Sequence, residues 1–192
     1  MKIAECRLLL STALAATRVA PLPGTVLGRT GSAELEIARA YLSDGTTFTN
    51  SGDPVNALAS FYYAFGWLHC GAIHGTLITE MATPPCPFLG PLERLPDVHR
   101  MKLAEKAGRY ERLLNTARTS VTCAPDPATP ACLHATRILQ VAETSAGRGR
   151  WLLQEGRGED ALASFSYGHG WLDAGVRAGL FGITAERDIF TV

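Results

Sequence analysis

Apolar side chains recur at helical spacing through most of this chain, and clusters of Pro and Gly interrupt the pattern. The periodicity predicts six helices, over about residues 2–19, 32–50, 53–79, 97–121, 130–154 and 159–182. Asp53-Pro54 and Thr129-Pro130 each place a capping side chain before a proline, which is typical of a helix start. Ser32 and Asp97 are predicted as two further N-caps. Because every periodic segment is helical, the predicted fold class is all-α with almost no strand.

The third and sixth predicted helices carry two versions of one sequence. Residues 57–77 and 161–181 are identical at 11 of 21 positions when they are aligned at an offset of 104. Such repetition indicates two copies of one supersecondary unit. We therefore predict two tandem three-helix bundle repeats, residues 1–82 and 97–184, joined by a proline-rich linker over residues 83–96. Since a unit of about 80 residues alone buries only about 60–65% of its chain surface, the repeats are expected to pack together, related by a pseudo-twofold axis.

Small residues form a stripe along one face of both repeated helices. In the first repeat the stripe consists of Ala57, Ser60, Ala64, Leu68, Gly71 and Gly75. Glycine lowers helix propensity by about 1 kcal/mol per site, so its repeated use predicts the close approach of another helix. Aromatic side chains cover the other faces, and each of these helices is therefore expected to be the buried centre of its bundle.

The charge balance limits the kinds of partner. The chain has 18 basic and 18 acidic residues and a net charge of zero, and neither half forms a basic lobe that would hold phosphates. Nucleic-acid binding therefore has no electrostatic signature in this sequence. No apolar run approaches the ~20 residues that cross a bilayer, so no membrane role is predicted.

The cysteine pattern and the N-terminus both favour a cytoplasmic protein. The cysteines are Cys6, Cys70, Cys86, Cys123 and Cys132. An odd, unpatterned set is typical of a reducing compartment, and we interpret Cys123 and Cys132 as free thiols that oxidation could join. The apolar N-terminus resembles a signal peptide, but residues 7–9 have a counterpart in residues 112–114, so we interpret it as the first helix of the first repeat.

Several segments carry the resemblance to a known family. In the second repeat they are Asp160–Phe165, Tyr167–Arg177 and Gly179–Phe181; in the first they are Ala40–Asp44 and Gly52–Phe61. They resemble the archaeal family known as domain of unknown function 357, which the second repeat matches over nearly its whole length. The resemblance implies a small all-helical bundle of archaeal, cytoplasmic origin. It implies no activity, because the family has none assigned.

Both repeats depart from the family pattern at a few positions. In the first repeat, His69 replaces the expected aspartate and Ile73 replaces the expected arginine. In the second, Arg157 replaces an acidic residue, and residues 145–147 also differ. The aspartate and arginine of the pattern are present in the second repeat, which is therefore the closer copy.

Eight residues on the third and sixth helices are candidates for contacts with a partner or a ligand. They are Tyr63, Trp67, His69, Tyr167, His169, Trp171, Asp173 and Arg177. Aromatic side chains dominate binding hot spots, so the first hypothesis is a non-enzymatic helical protein that binds another protein or self-associates. Core packing is the other interpretation of the four aromatic residues in this set.

The second hypothesis is a small-molecule or metal-binding bundle with a site between the repeats, near His69, His169 and Asp173. His169 and Asp173 are four residues apart and share a helix face, where a carboxylate can orient an imidazole. Phe65 stands in place of His169 in the first repeat, which favours a stabilising or interface contact for this pair. Asp173 and Arg177 are interpreted as an i,i+4 ion pair.

Motifs for metal binding and for catalysis are weak. Cys70 and His74 have a spacing that zinc accepts, but Cys70 aligns with Ala174, and buried free cysteine is common. Arg94 and His99 match the loose Arg-x4-His pattern of certain helical ribonucleases without any basic surround. The chain has no Ser/His/Asp set and no phosphate-binding glycine loop. We therefore predict no cofactor, no metal and no enzymatic activity.

Overall fold

The computed structural model of the chain describes residues 1–79 and 91–191. Its helices are α1 (Ile3–Ala15), α2 (Val26–Asn50), α3 (Pro54–His74), α4 (Arg100–Thr119), α5 (Pro130–Gln154) and α6 (Gly158–Arg177). Its strands are β1 (Arg18–Val19), β2 (Leu77–Ile78), β3 (Val121–Cys123) and β4 (Phe181–Ile183). The predicted all-α class with two packed three-helix halves is confirmed. Since α2 and α5 begin 104 residues apart, as do α3 and α6, the offset of the sequence repeat also relates the two halves of the structure.

The strands form two small antiparallel pairs that close the two halves. β1 pairs with β2, and β3 pairs with β4. Each pair joins the segment after the first helix of its repeat to the segment after the third. Strands of two or three residues are too short to show alternation, which is why the sequence pattern does not reveal them.

Thr25, rather than Ser32, caps α2. The Thr25 side chain accepts a hydrogen bond from the backbone N–H three residues on, at 3.0 Å, and the helix starts with the next residue. The predicted N-cap at Ser32 is wrong because the Gly-containing segment before it is helical. Gly31 is needed there, since a Cβ would lie 2.7 Å from the carbonyl oxygen of Thr76. Asp97 is likewise not the cap of α4, because it begins a 3-10 turn that precedes the helix.

A glycine ends each of the two central helices, α3 and α6, five residues before the end that the sequence pattern predicts. Gly75 and Gly179 have φ angles of 80° and 75°. The N–H of the residue after each glycine donates to the carbonyl oxygen of Gly71 or Gly175, in both cases at 3.0 Å. This is the Schellman arrangement, in which a left-handed residue stops the helix. The last glycine of each predicted stripe is therefore a helix stop and does not pack against another helix.

The central helices α3 and α6 pack against each other and cross where Gly66 meets Gly170. A Cβ on Gly66 would lie 2.5 Å from the carbonyl oxygen of Tyr167 and 2.9 Å from the Cα of Gly170. A Cβ on Gly170 would equally meet the carbonyl oxygen of Tyr63. Because each glycine faces its own counterpart, the crossing point lies on the pseudo-twofold axis that relates the two repeats.

A second pair of glycines makes room for aromatic rings within each repeat. Gly45 on α2 faces Phe61, and its counterpart Gly149 on α5 faces Phe165. Any Cβ at either glycine would lie within 3.0 Å of the ring carbons. Phe61 and Phe165 are fully buried, so this contact fixes the packing of the second helix against the third in each half.

The described part of the predicted linker is held by the start of α6. The backbone N–H of Leu92 donates to Asp160 at 3.1 Å, and that of Leu95 donates to Glu159 at 2.8 Å. Residues 83–90 of the linker, including Cys86, lie outside the described residues.

At one buried position the first repeat has a carboxyl group where the second repeat has an apolar side chain. Glu34 is 0% exposed, and one of its oxygens accepts a hydrogen bond from the Thr76 hydroxyl. Its other oxygen has no hydrogen-bond partner among the described residues. Ile138 and Leu180 occupy the equivalent positions in the second repeat. The second repeat therefore shows that an apolar pair fits this site.

We expect the double substitution Glu34→Ile with Thr76→Leu to stabilise the protein. It removes a desolvated carboxyl group and should raise the free energy of unfolding by about 1–3 kcal/mol, measured by urea denaturation. Thr76→Leu alone is the matched control. It removes the donor and leaves the carboxyl group in place, so it should destabilise by about 1–3 kcal/mol. A double variant no more stable than the parent would contradict this account.

Candidate functional site

Two tyrosines reach across the helix crossing and bond to side chains of the opposite repeat. The Tyr63 hydroxyl on α3 donates to the Asp173 carboxylate on α6. The Tyr167 hydroxyl on α6 lies 2.9 Å from Nδ1 of His69 on α3. The two tyrosines are counterparts at the repeat offset, and so are His69 and Asp173. The pseudo-twofold axis thus relates a tyrosine–aspartate pair to a tyrosine–histidine pair.

The Asp173 carboxylate also holds the C-terminal segment. Its second oxygen accepts a hydrogen bond from the backbone N–H of Thr191 at 2.9 Å, and the Thr191 hydroxyl lies 3.0 Å from that of Tyr63. The predicted ion pair between Asp173 and Arg177 is wrong, because Asp173 is buried and bonds to these two residues while Arg177 points outward to solvent. Burial and the nearby Asp173 carboxylate both raise the pKa of Tyr63, so its hydroxyl stays protonated and remains a donor.

Two buried histidines lie beside these pairs. Burial lowers the pKa of His69 to about 4. Burial also lowers the pKa of His169, and the Asp173 carboxylate opposes that shift. Among the described residues, neither Nε2 of His69 nor Nδ1 of His169 has a hydrogen-bond partner. Both rings are therefore neutral at pH 7.

The structure buries six of the eight candidate residues. The buried residues are Tyr63, Trp67, His69, His169, Trp171 and Asp173. Tyr167 is half-buried and Arg177 is exposed. The network around His69, His169 and Asp173 does lie between the repeats, as the second hypothesis requires. Solvent reaches its edge through Tyr167.

Tyr167 lines an open cleft on the second repeat, between α5 and α6. The cavity has a volume of about 350 Å³. Its lining residues are Arg137, Gln140, Val141, Thr144, Ser145, Arg148, Ser164 and Tyr167. We call this cavity the second-repeat cleft. Its volume falls within the ~300–1,000 Å³ range of small-molecule sites.

The corresponding tyrosine of the first repeat, Tyr63, is covered by other parts of the chain. The Tyr41 ring, at the position of Ser145, packs on the Tyr63 ring with 4.4 Å between centroids. Ala33, Glu36 and Ile37, the counterparts of Arg137, Gln140 and Val141, line a separate open cavity of about 380 Å³ with Phe190 and Thr191. The Thr191 hydroxyl lies 3.0 Å from that of Tyr63. Tyr63 is only 5% exposed as a result, whereas its counterpart Tyr167 faces the open cleft.

Cysteine and histidine positions give no metal centre within the described ranges. No group of three or more His, Cys, Asp or Glu side chains there is arranged to hold an ion. His74 stacks on His134 of the second repeat, with 4.7 Å between ring centroids. The Cys123 and Cys132 sulfur atoms lie 3.4 Å apart as free thiols.

Comparison with known families agrees with this two-part arrangement. The family model described as "Protein of unknown function (DUF357)" matches residues 7–77 and again residues 109–181. The chain belongs to DUF357. Each match covers one structural half, so the DUF357 unit is present twice. No curated protein and no solved structure matches the chain. None of the helices in the described DUF357 halves is both long and apolar enough to cross a bilayer.

The sequence pattern did not reveal the cleft or the residues that cover Tyr63. Tyr41 and Thr191 contact Tyr63 from other elements, and no spacing along one helix connects them. The spacing of Arg137 and Arg148 was the one sequence feature that could have indicated the cleft. They lie on the same face of a predicted helix, eleven residues and about three turns apart.

Proposed function

We propose that this DUF357 protein is a non-enzymatic, cytoplasmic small-molecule-binding protein and that the ligand occupies the second-repeat cleft. One observation carries the proposal. Counterpart tyrosines have different surroundings, because Tyr41 and Thr191 cover Tyr63 in the first repeat, whereas Tyr167 of the second repeat faces an open cleft. An open, partly apolar cavity with a few converging polar groups is the usual form of a ligand site.

The lining of the cleft supports binding rather than catalysis. Its side chains include hydroxyl, amide and guanidinium groups, with no carboxylate, imidazole or thiol. Carboxylate, imidazole and thiol groups are among those that general acid–base catalysis near neutral pH uses most often, and the cleft has none of them. The nearby His69 and Asp173 are buried behind Tyr167 and already bonded within the protein. The free thiols of the described cysteines support the cytoplasmic location.

Protein association, the other function that the sequence suggests, has support of a different kind. Leu22, Val26 and Leu27 are 76%, 69% and 52% exposed around the start of α2. Such a cluster is typical of a contact surface. It involves none of the eight candidate residues, and association is therefore proposed second.

Closing the cleft should abolish ligand binding. In Ser145→Tyr, the residue found in the first repeat should pack on Tyr167 as Tyr41 packs on Tyr63, and its ring should then fill the cleft. Native mass spectrometry of the purified parent is expected to show a bound small molecule that this variant lacks. That same molecule, added at one hundred times its Kd, should stabilise the parent by about 2.7 kcal/mol in thermal unfolding.

Thr136→Tyr provides the control for this substitution. Thr136 is exposed on the same helix and does not line the cleft. The control should retain the bound molecule. Equal ligand occupancy in both variants would place the site elsewhere. A parent without small molecule that co-purifies with a protein, or forms a dimer that Leu27→Glu disrupts, would favour association instead.

A further inference from the structure

Charge in the second-repeat cleft differs systematically from charge at the equivalent positions of the first repeat. Arg137 stands where the first repeat has Ala33, and Gln140 stands where it has Glu36. Arg148 stands at the position of Asp44. All three differences make the second repeat more positive. The lining contains no acidic residue, although the chain as a whole carries equal numbers of acidic and basic residues.

The two arginines lie at opposite ends of the cleft. They are eleven residues apart on α5, which places their Cα atoms about 16 Å apart along the helix axis and on the same face. Val141, Thr144 and Ser145 lie between them, and Tyr167 faces them from α6. Along α5 the cleft therefore has an apolar and hydroxyl-bearing middle and an arginine at each end.

Partial burial of Arg148 strengthens the hydrogen bonds that its guanidinium group can donate to an anion. Arg148 is half-buried and Arg137 is exposed at the rim. The guanidinium group presents donors in a planar fork that matches carboxylate and phosphate oxygens. A charge-assisted hydrogen bond is roughly twice as strong as a neutral one, and partial removal of water increases the effect.

Resting on the proposed function, we infer that the ligand of the second-repeat cleft is an elongated organic anion. Its acidic groups bind Arg137 and Arg148, and its apolar body lies over Val141 and the Tyr167 ring. Gln140 and Thr144 offer further polar atoms beside the acidic groups. A neutral molecule of the same shape would lack the charge-assisted hydrogen bonds that an anion forms with the two guanidinium groups.

Three naphthalene compounds with one shared body test this inference. They are 2-naphthol, 2-naphthoate and 2,6-naphthalenedicarboxylate, which carry no, one and two carboxylates at neutral pH. Isothermal titration calorimetry should show Kd falling about tenfold with each added carboxylate, equivalent to about 1.4 kcal/mol per step. A fourth compound, 2-naphthyl phosphate, distinguishes preference for phosphate from preference for carboxylate.

Arg137→Gln and Arg148→Gln identify the residues responsible. Each substitution keeps a hydrogen-bonding group and removes the charge, so each should weaken binding of the dicarboxylate about tenfold while leaving that of 2-naphthol unchanged. Arg150→Gln is the matched control, since Arg150 is an exposed arginine of α5 outside the cleft lining. It should bind all four compounds as the parent does.

The outcomes separate this inference from the proposed function. If 2-naphthol binds as tightly as the acids and Ser145→Tyr abolishes its binding, the cleft is a ligand site but not an anion site. If the acids bind equally to the parent and to both arginine variants, the assignment of Arg137 and Arg148 is overturned. If no compound binds more tightly than about 1 mM, the inferred ligand class is wrong. The bound molecule in the native mass spectrum then decides the proposed function independently.

Discussion

Adding a single methyl group at the helix crossing is expected to destabilise the protein strongly. Gly66→Ala and Gly170→Ala each place a Cβ against backbone atoms of the opposite central helix. Backbone cannot rotate away as a side chain can, so α3 and α6 would have to separate along their length. We expect a loss of about 3 kcal/mol in the free energy of unfolding and a fall in Tm of about 6–12 °C, measured by thermal unfolding.

Two other helical glycines provide the control. At Gly108 and Gly147 an added Cβ would have no atom closer than 3.5 Å, and the nearest atoms belong to the ends of flexible arginine side chains. Gly108→Ala and Gly147→Ala should therefore raise stability by up to about 1 kcal/mol through helix propensity. If Gly66→Ala or Gly170→Ala melted at or above the parent temperature, the two central helices could not pack as closely as the structure shows.

Helical periodicity and internal repetition were enough to predict the fold class. α5 begins and ends at its predicted residues because Thr129 and Pro130 mark its start, and Gly156 follows its end. The position of the helix crossing was not predictable in the same way. The small-residue stripe includes Gly71 and Gly75, but Gly66, outside the stripe, lies at the crossing with the other repeat. One helix has several small faces, and only the partner helix selects among them.

Sequence spacing also could not predict the contacts that the candidate site makes between the two repeats. Spacing along α6 correctly indicates that His169 and Asp173 share a face, but it cannot show that Asp173 bonds to Tyr63 from the other repeat. Hydrogen bonds between repeats depend on the crossing geometry of two helices. The repeat offset alone could have suggested the relation, since it makes His69 the counterpart of Asp173.

The duplication explains how one fold holds two different surfaces. Positions that set the backbone path are shared, including the glycines of the crossing and of the helix ends. Other positions have changed, so that Tyr41 and Asp44 of one repeat correspond to Ser145 and Arg148 of the other. Each repeat therefore serves as a natural reference for the other, and substitutions such as Ser145→Tyr simply transfer a residue between equivalent sites.

Acid is expected to destabilise the protein through the two buried histidines of its central helices. His69 is neutral in the folded state down to pH about 4, but in the unfolded chain it takes up a proton below its ordinary pKa of 6.5. The unfolded state therefore binds more protons as the pH falls between these two values, and stability declines over that range. For His69 alone the loss is about 3 kcal/mol, and His169, whose pKa is also lowered, adds to it. Urea denaturation at a series of pH values measures the decline.

The double variant His69→Gln with His169→Phe should flatten this dependence. Glutamine keeps a hydrogen-bond acceptor for Tyr167, and phenylalanine is the residue that the first repeat has at the position of His169. Half-buried His134, whose pKa is lowered to about 4 chiefly by burial, still contributes a decline in the variant, so the dependence becomes less steep but does not vanish. His99→Gln, outside the central network, should retain the full dependence of the parent. If the double variant lost stability between pH 6.5 and 4 as steeply as the parent, other groups would have to account for the acid sensitivity, and the buried imidazoles would not be its source.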